Sequence, residues 1–125
     1  MENIKIIDSF IDDREFRNYV ITFLESQGYT LKKIDDERVS DRVKNNDNDF
    51  LVFKSNKLST VQTFLNKDIT EKEINETIRD MKKENVDNAI IVTNKNVNKD
   101  TINKYKSENI TIIDRKELIN WYDFI

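Results

Sequence analysis

Residues 49–64 read Asp-Phe-Leu-Val-Phe-Lys-Ser-Asn-Lys-Leu-Ser-Thr-Val-Gln-Thr-Phe. Two apolar runs, Phe50–Phe53 and Thr60–Leu65, flank a polar turn at Ser55, Asn56 and Lys57. β-Branched and aromatic residues fill both runs and the turn chemistry suits a tight reversal, so the stretch is predicted to be a β-hairpin. An acidic residue, Asp49, opens the first strand. Gln62 stands in the middle of the second, where an apolar side chain is the cheaper residue to bury. The hairpin is therefore a candidate site as well as scaffold.

Upstream, Ile4–Ile11 is a short apolar-polar lead. Asp12 with Glu15 has the spacing of a capping box, and Phe16, Tyr19, Val20, Phe23 and Leu24 fall on one helical face. Gly28 supplies the left-handed residue that ends such a helix. Tyr29–Ile34 reads as a strand. Asp35–Asp49 mixes acids, Asn, Arg38, Val39, Arg42 and Val43, and reads either as a short helix or as a loop.

Downstream, Thr70 with Glu73 forms a second capping box before a helix whose buried face is Ile74, Ile78 and Met81. Ala89–Thr93 is a continuous apolar run, the pattern of a strand covered on both faces. Asn98–Ser107 is a weaker helix with Ile102 and Tyr105 as its apolar contacts, and Ile110–Ile113 is another buried strand. Asp114 with Glu117 makes a third capping box before Leu118, Ile119 and the aromatic residues Trp121, Tyr122 and Phe124. Strands alternating with helices in this half predict an α/β fold, a mixed sheet with helices on both faces.

Composition narrows the chemistry. The 125 residues suit a single domain spanning 1–125. There is no Cys and no His, which removes disulfides, zinc ribbons, thiol nucleophiles and imidazole catalysis. One Gly and no Pro exclude glycine-rich phosphate loops. With 24 acidic against 21 basic residues the net charge is -3, so nucleic-acid binding has to come from local basic clusters. No apolar run reaches membrane-spanning length and the amino terminus lacks a signal pattern. An intracellular protein is expected, cytoplasmic or, in a eukaryote, nuclear, with no membrane partner.

The order of elements, with Phe16-Arg17, Gly28-Tyr29, Asp49, Gln62-Thr63-Phe64, Val92-Thr93-Asn94 and Ile113-Asp114 followed by Leu118, resembles the Mrr-type (type IV restriction) nuclease domain of the restriction-endonuclease-like superfamily. The resemblance runs from about Arg14 to Trp121. It implies a metal-dependent DNA endonuclease fold whose site is assembled from a Phe-Glu pair on the first helix, an Asp on the second strand and a Gln-x-Lys on the third. Asp49 and Gln62 match as site remnants, Asp49 as the metal ligand. Arg17 stands where the family has the helix Glu, and Phe64 where it has the catalytic Lys.

In such a site the acids hold a hard divalent cation through oxygen ligands, and metal and Lys together offset charge on the phosphate. Losing one positioned electrostatic donor costs roughly 10²–10³-fold in rate. What the resemblance implies here is a degraded nuclease bound to DNA or to a larger restriction or transcription assembly. No cofactor is expected, and Mg²⁺ or Mn²⁺ matters only if cutting survives. An active endonuclease with a relocated lysine, Lys54 or Lys67, is one alternative.

Met81–Val92 and Gly28-Tyr29 are also similar to the amino-terminal jaw domain of the fifth shared RNA polymerase subunit, a non-catalytic version of the same fold and the other alternative. The candidate DNA-phosphate contacts are Lys32, Lys33, Arg38, Arg42 and Lys44, although Asp35, Asp36, Glu37 and Asp41 are interleaved with them. Plainer readings exist for each: Asp49 as a strand cap, Gln62 as a satisfied buried amide, Phe64 as core, the basic stretch as a solvated mixed face.

Overall fold

A computed structural model describes residues 7–10, 12–31 and 49–123. In chain order the elements are α1 (Asp13–Ser26), β1 (Thr30–Leu31), β2 (Asp49–Lys54), β3 (Lys57–Phe64), α2 (Glu71–Glu84), β4 (Asn88–Thr93), α3 (Lys99–Lys106), β5 (Ile110–Ile113) and α4 (Arg115–Asp123). The five strands form one sheet in sequential order, β1-β2-β3-β4-β5. The first three are antiparallel, and β4 and β5 join in parallel, so the sheet is mixed. The α/β restriction-endonuclease-like architecture expected from the sequence is the one found. No described helix is long and apolar enough to cross a membrane.

Each helix start follows its capping chemistry. Asp12 Oδ1 accepts the Glu15 backbone N–H at 2.9 Å, opening α1. At its other end Gly28, at φ +96°, reverses the chain, and the Gly28 and Tyr29 N–H groups close on the carbonyls of Glu25 and Leu24. The Glu73 carboxylate accepts from both the backbone N–H and the hydroxyl of Thr70, the reciprocal half of a capping box at the head of α2. Asp114 does two jobs: Oδ1 accepts from the Glu117 N–H at the head of α4, and Oδ2 accepts from Val97 N–H in the β4–α3 loop.

The hairpin is tighter than the sequence reading. Ser55 and Asn56 alone form the turn, both at positive φ (53° and 63°), while Lys57 is already in β3 and pairs with Lys54. Two left-handed residues give a reversal whose twist matches the strands, and this lets the ladder run one pair further.

Alternation along the strands separates two cores. On one face Phe16, Val20, Phe23 and Leu24 of α1 and Leu118 of α4 pack against Phe50, Val52, Val61, Ile90, Val92 and Ile113. On the other face Ile74 and Met81 of α2 and Tyr105 of α3 cover Ala89, Ile91, Ile110 and Ile112. The two crossover helices share a face, as successive crossovers of one hand require in a sequentially ordered sheet. β4, at the centre, buries both its rows, which explains why Ala89–Thr93 reads as unbroken apolar sequence. Trp121 meets Tyr19 and Phe23 edge-on, closing the α1 face. The side chain of Tyr122 and all of Phe124 lie outside the described residues.

Candidate functional site

The β2–β3 ladder places Asp49 directly opposite Gln62. It is the register, on the backbone, that relates these two positions. Gln62 is one of eight polar or charged residues buried among the described ones, and its environment is set by α2. Glu73, Thr77 and Asp80 recur at i, i+4 and i+7, a stripe on the side of α2 that faces β3. Thr77, fully buried, donates its hydroxyl proton to Gln62 Oε1 at 2.5 Å, with the Glu73 carbonyl also in reach at 3.0 Å. Gln62 Nε2 donates to Asp80 Oδ2 at 3.5 Å. The amide is therefore engaged at both ends with α2.

Phe64, two residues on and on the same face by strand parity, packs partly buried against the α2–α3 core. The ammonium of Lys67, in the loop that follows, stands 5.6 Å from the centre of its ring and 3.5 Å from the Glu73 carboxylate. The hydrogen bonds from Thr70, chiefly its hydroxyl, outweigh burial and with Lys67 hold the Glu73 carboxyl down to about 2. Strand parity alone sets Lys67 apart from Gln62 and Phe64. The loop overrides parity by turning at Asn66, which has φ 58°. Lys54 is used differently: its ammonium donates to the Gln27 carbonyl at 2.8 Å and lies 4.8 Å from the Tyr29 ring centre, capping the end of α1.

Arg17 is on the opposite face. Its guanidinium carbon lies 5.2 Å from the centre of the Phe50 ring, and Phe50 belongs to the α1 core. The structure thus brings Gln62, Phe64 and Lys67 together and leaves Arg17 apart from them, across the sheet. Lys32, Lys33, Arg38, Arg42 and Lys44, and the side chain of Asp49, lie outside the described residues.

The sequence reading missed Thr77. Its signal was present: residues 74, 77, 78 and 81 are one helical stripe, and Thr77 is its only polar member. A hydroxyl on an apolar stripe needs an acceptor on the element it covers.

A second polar knot holds the carboxyl ends of the parallel strands. Asn94, 1% exposed, accepts from the Asn66 backbone N–H at 2.7 Å and donates to Asn66 Oδ1 at 2.9 Å and to the Ile7 carbonyl at 3.4 Å. Arg115 reaches Asp8 with two bonds, 2.6 and 2.9 Å, and the Asn94 carbonyl at 3.4 Å. Asn94 of the Val-Thr-Asn motif and Arg115, which follows Ile113-Asp114, thus tie the amino-terminal lead to the sheet.

A divalent metal of the magnesium type takes several hard oxygen ligands, usually including carboxylates. Among the described residues no group of three or more His, Cys, Asp or Glu is arranged to hold a metal ion. Gln62 Oε1 already receives a proton from Thr77, and Arg17 carries the wrong charge on the far face.

Compared with known families, the chain matches the model of the Mrr catalytic domain, described as restriction endonuclease, over residues 9–122. No curated protein matches it. The match spans almost the whole sequence and coincides with the mixed sheet, the Asp49–Gln62 register and the α1–hairpin order just described, and the protein belongs to the Mrr-type restriction endonuclease family.

Proposed function

We propose that this protein is a DNA-associated Mrr-type domain, one unit over residues 1–125, whose metal-dependent nuclease site is degraded and which binds duplex DNA or a partner inside the cell rather than cutting. The observation that carries this reading is the use made of Gln62. Its oxygen, the group a cation would need, accepts the Thr77 hydroxyl at 2.5 Å, and its neighbour two residues on is a phenyl ring instead of an ammonium. An engaged amide and an apolar ring supply structure. They do not supply a ligand and a positioned cation. In this reading Asp49 and Gln62 are remnants, and DNA is held by basic side chains, with Lys32, Lys33, Arg38, Arg42 and Lys44 the proposed phosphate contacts.

The placement of Lys67 favours one competing reading. Its ammonium, 5.6 Å from the Phe64 ring centre, lies near the space that a lysine at position 64 would reach, as a relocated catalytic lysine requires. Labelled duplex DNA incubated with Mn²⁺ and the wild type, Asp49→Ala or Lys67→Ala separates the two, read on denaturing gels. The proposal expects intact strands in every lane. Cutting by the wild type that both substitutions abolish establishes an endonuclease with a relocated lysine. Intact DNA together with no DNA binding, and a stable co-purifying protein, points instead to a jaw-like assembly subunit.

A further inference from the structure

We propose that Arg17 is a phosphodiester-binding residue, a fixed cation that lets this domain hold the DNA backbone without a metal ion. The inference rests on the DNA-binding reading above and names a residue of that surface.

Arg17 stands on α1 with its guanidinium carbon over Phe50, 5.2 Å from the ring centre. Its Nε is buried and has no hydrogen-bond partner among the described residues. None of the ion pairs formed among the described residues involves it. Three other cations near the sheet are committed: Arg115 to Asp8, Lys54 to the end of α1, Lys67 to Glu73. Arg17 is different in kind, a partly buried, permanently charged group whose Nε donor meets no acceptor among the described residues.

Its setting suits an anion of one shape. Contact with the aromatic ring restrains the guanidinium, so its fork of donors has less freedom to lose on binding. A planar fork matches two oxygens of a phosphate, which accept two parallel charge-assisted hydrogen bonds. Phe50 follows Asp49 in β2, so Arg17 flanks the strand that carries the family's metal-binding position. Arg14, one turn earlier on the same side of α1, is exposed and adds a second positive charge. A guanidinium here needs no metal ion to attract phosphate oxygens, and attracts them in the presence of a chelator.

The test is equilibrium binding of the full chain to a fluorescent duplex in EDTA, by anisotropy, from about 50 to about 200 mM KCl. The proteins are wild type, Arg17→Met, which keeps the stem on Phe50, and Arg17→Lys, which keeps the charge. Melting curves confirm that each is folded. The wild type is expected to bind in EDTA. Arg17→Met should bind about tenfold more weakly, with a salt slope shallower by about 0.9, one phosphate contact fewer. Arg17→Lys should keep the slope and lose part of the affinity, because the bidentate fork is gone. Binding by folded Arg17→Met with unchanged affinity and slope overturns the assignment and leaves the DNA-binding reading intact. A wild type that binds no duplex, or binds only with added Mg²⁺, overturns the assignment, and no binding in either condition overturns the DNA reading with it.

Discussion

Removing the Thr77 hydroxyl tests directly whether Gln62 is structural. Thr77→Val keeps the shape of the side chain, and the two residues have similar helix propensity. It deletes the donor to Gln62 Oε1, at 2.5 Å, in a place where Thr77 is wholly buried and Gln62 is 9% exposed. Loss of the second contact, to the Glu73 carbonyl, weighs little because that oxygen already takes its helical N–H bond. A buried acceptor left without a donor costs about 1–3 kcal/mol. At this chain length about 1 kcal/mol shifts the melting temperature by about 4 °C, so Thr77→Val should melt about 4–12 °C lower. Gln62→Leu should also destabilise, by stranding the Thr77 hydroxyl. The pair Thr77→Val with Gln62→Leu removes both polar partners and is expected to recover most of the loss. Urea unfolding of the four proteins closes the cycle. A Thr77→Val protein within about 0.5 kcal/mol of wild type, with additive single effects, refutes a structural Gln62.

Two further outcomes follow from local geometry. Glu73 titrates at about 2 in the folded chain against an ordinary value of 4.5. Its carboxylate therefore stabilises the fold above pH 4.5, and that contribution fades as pH falls from 4.5 towards 2. Unfolding midpoints of wild type and Glu73→Gln should differ at pH 6 (roughly; any value well above the unfolded pKa serves) and converge near the bottom of that window, and a gap independent of pH argues against a titrating cap. Gly28→Ala places a side chain on a backbone at φ +96°, with Lys54 Cε 3.5 Å from the new Cβ. The strained conformation should cost about 1 kcal/mol in urea melts, and a neutral result means that the turn relaxes.

How far the sequence could be read depended on whether a feature was local. Helix starts at Asp12, Thr70 and Asp114 were legible because a cap is decided within four residues. Ala89–Thr93 was legible as a central strand because full burial on both faces leaves no polar residue in the run. The Lys57 boundary was not, since it turns on whether two or three residues take positive φ, and Ser-Asn-Lys permits either. The site was partly legible. Parity showed that Gln62 and Phe64 share a face, but parity does not say which helix covers that face, and this decided everything about Gln62. Lys67 lies in a loop whose path is set by Asn66 and by Asn94, 28 residues later. A distant partner of that kind leaves no local trace in sequence.

The two faces of the sheet make opposite use of polar residues, and the contrast bears on function. On the α2 face Gln62, Thr77, Glu73 and Lys67 form a closed set in which each meets a neighbour from the group. Such a set stabilises without any ligand, because buried polar groups are costly when left unmet. Among the described residues the α1 face has no such closure at Arg17. A methionine there would cover Phe50 with the same stem and strand no buried donor, so packing alone gives no reason for a guanidinium. Stability accounts for the residues where the family keeps its Gln-x-Lys, and it does not account for the one where the family keeps its Glu. The position that departs most in charge from a nuclease is therefore the one for which the proposed phosphate contact supplies a reason.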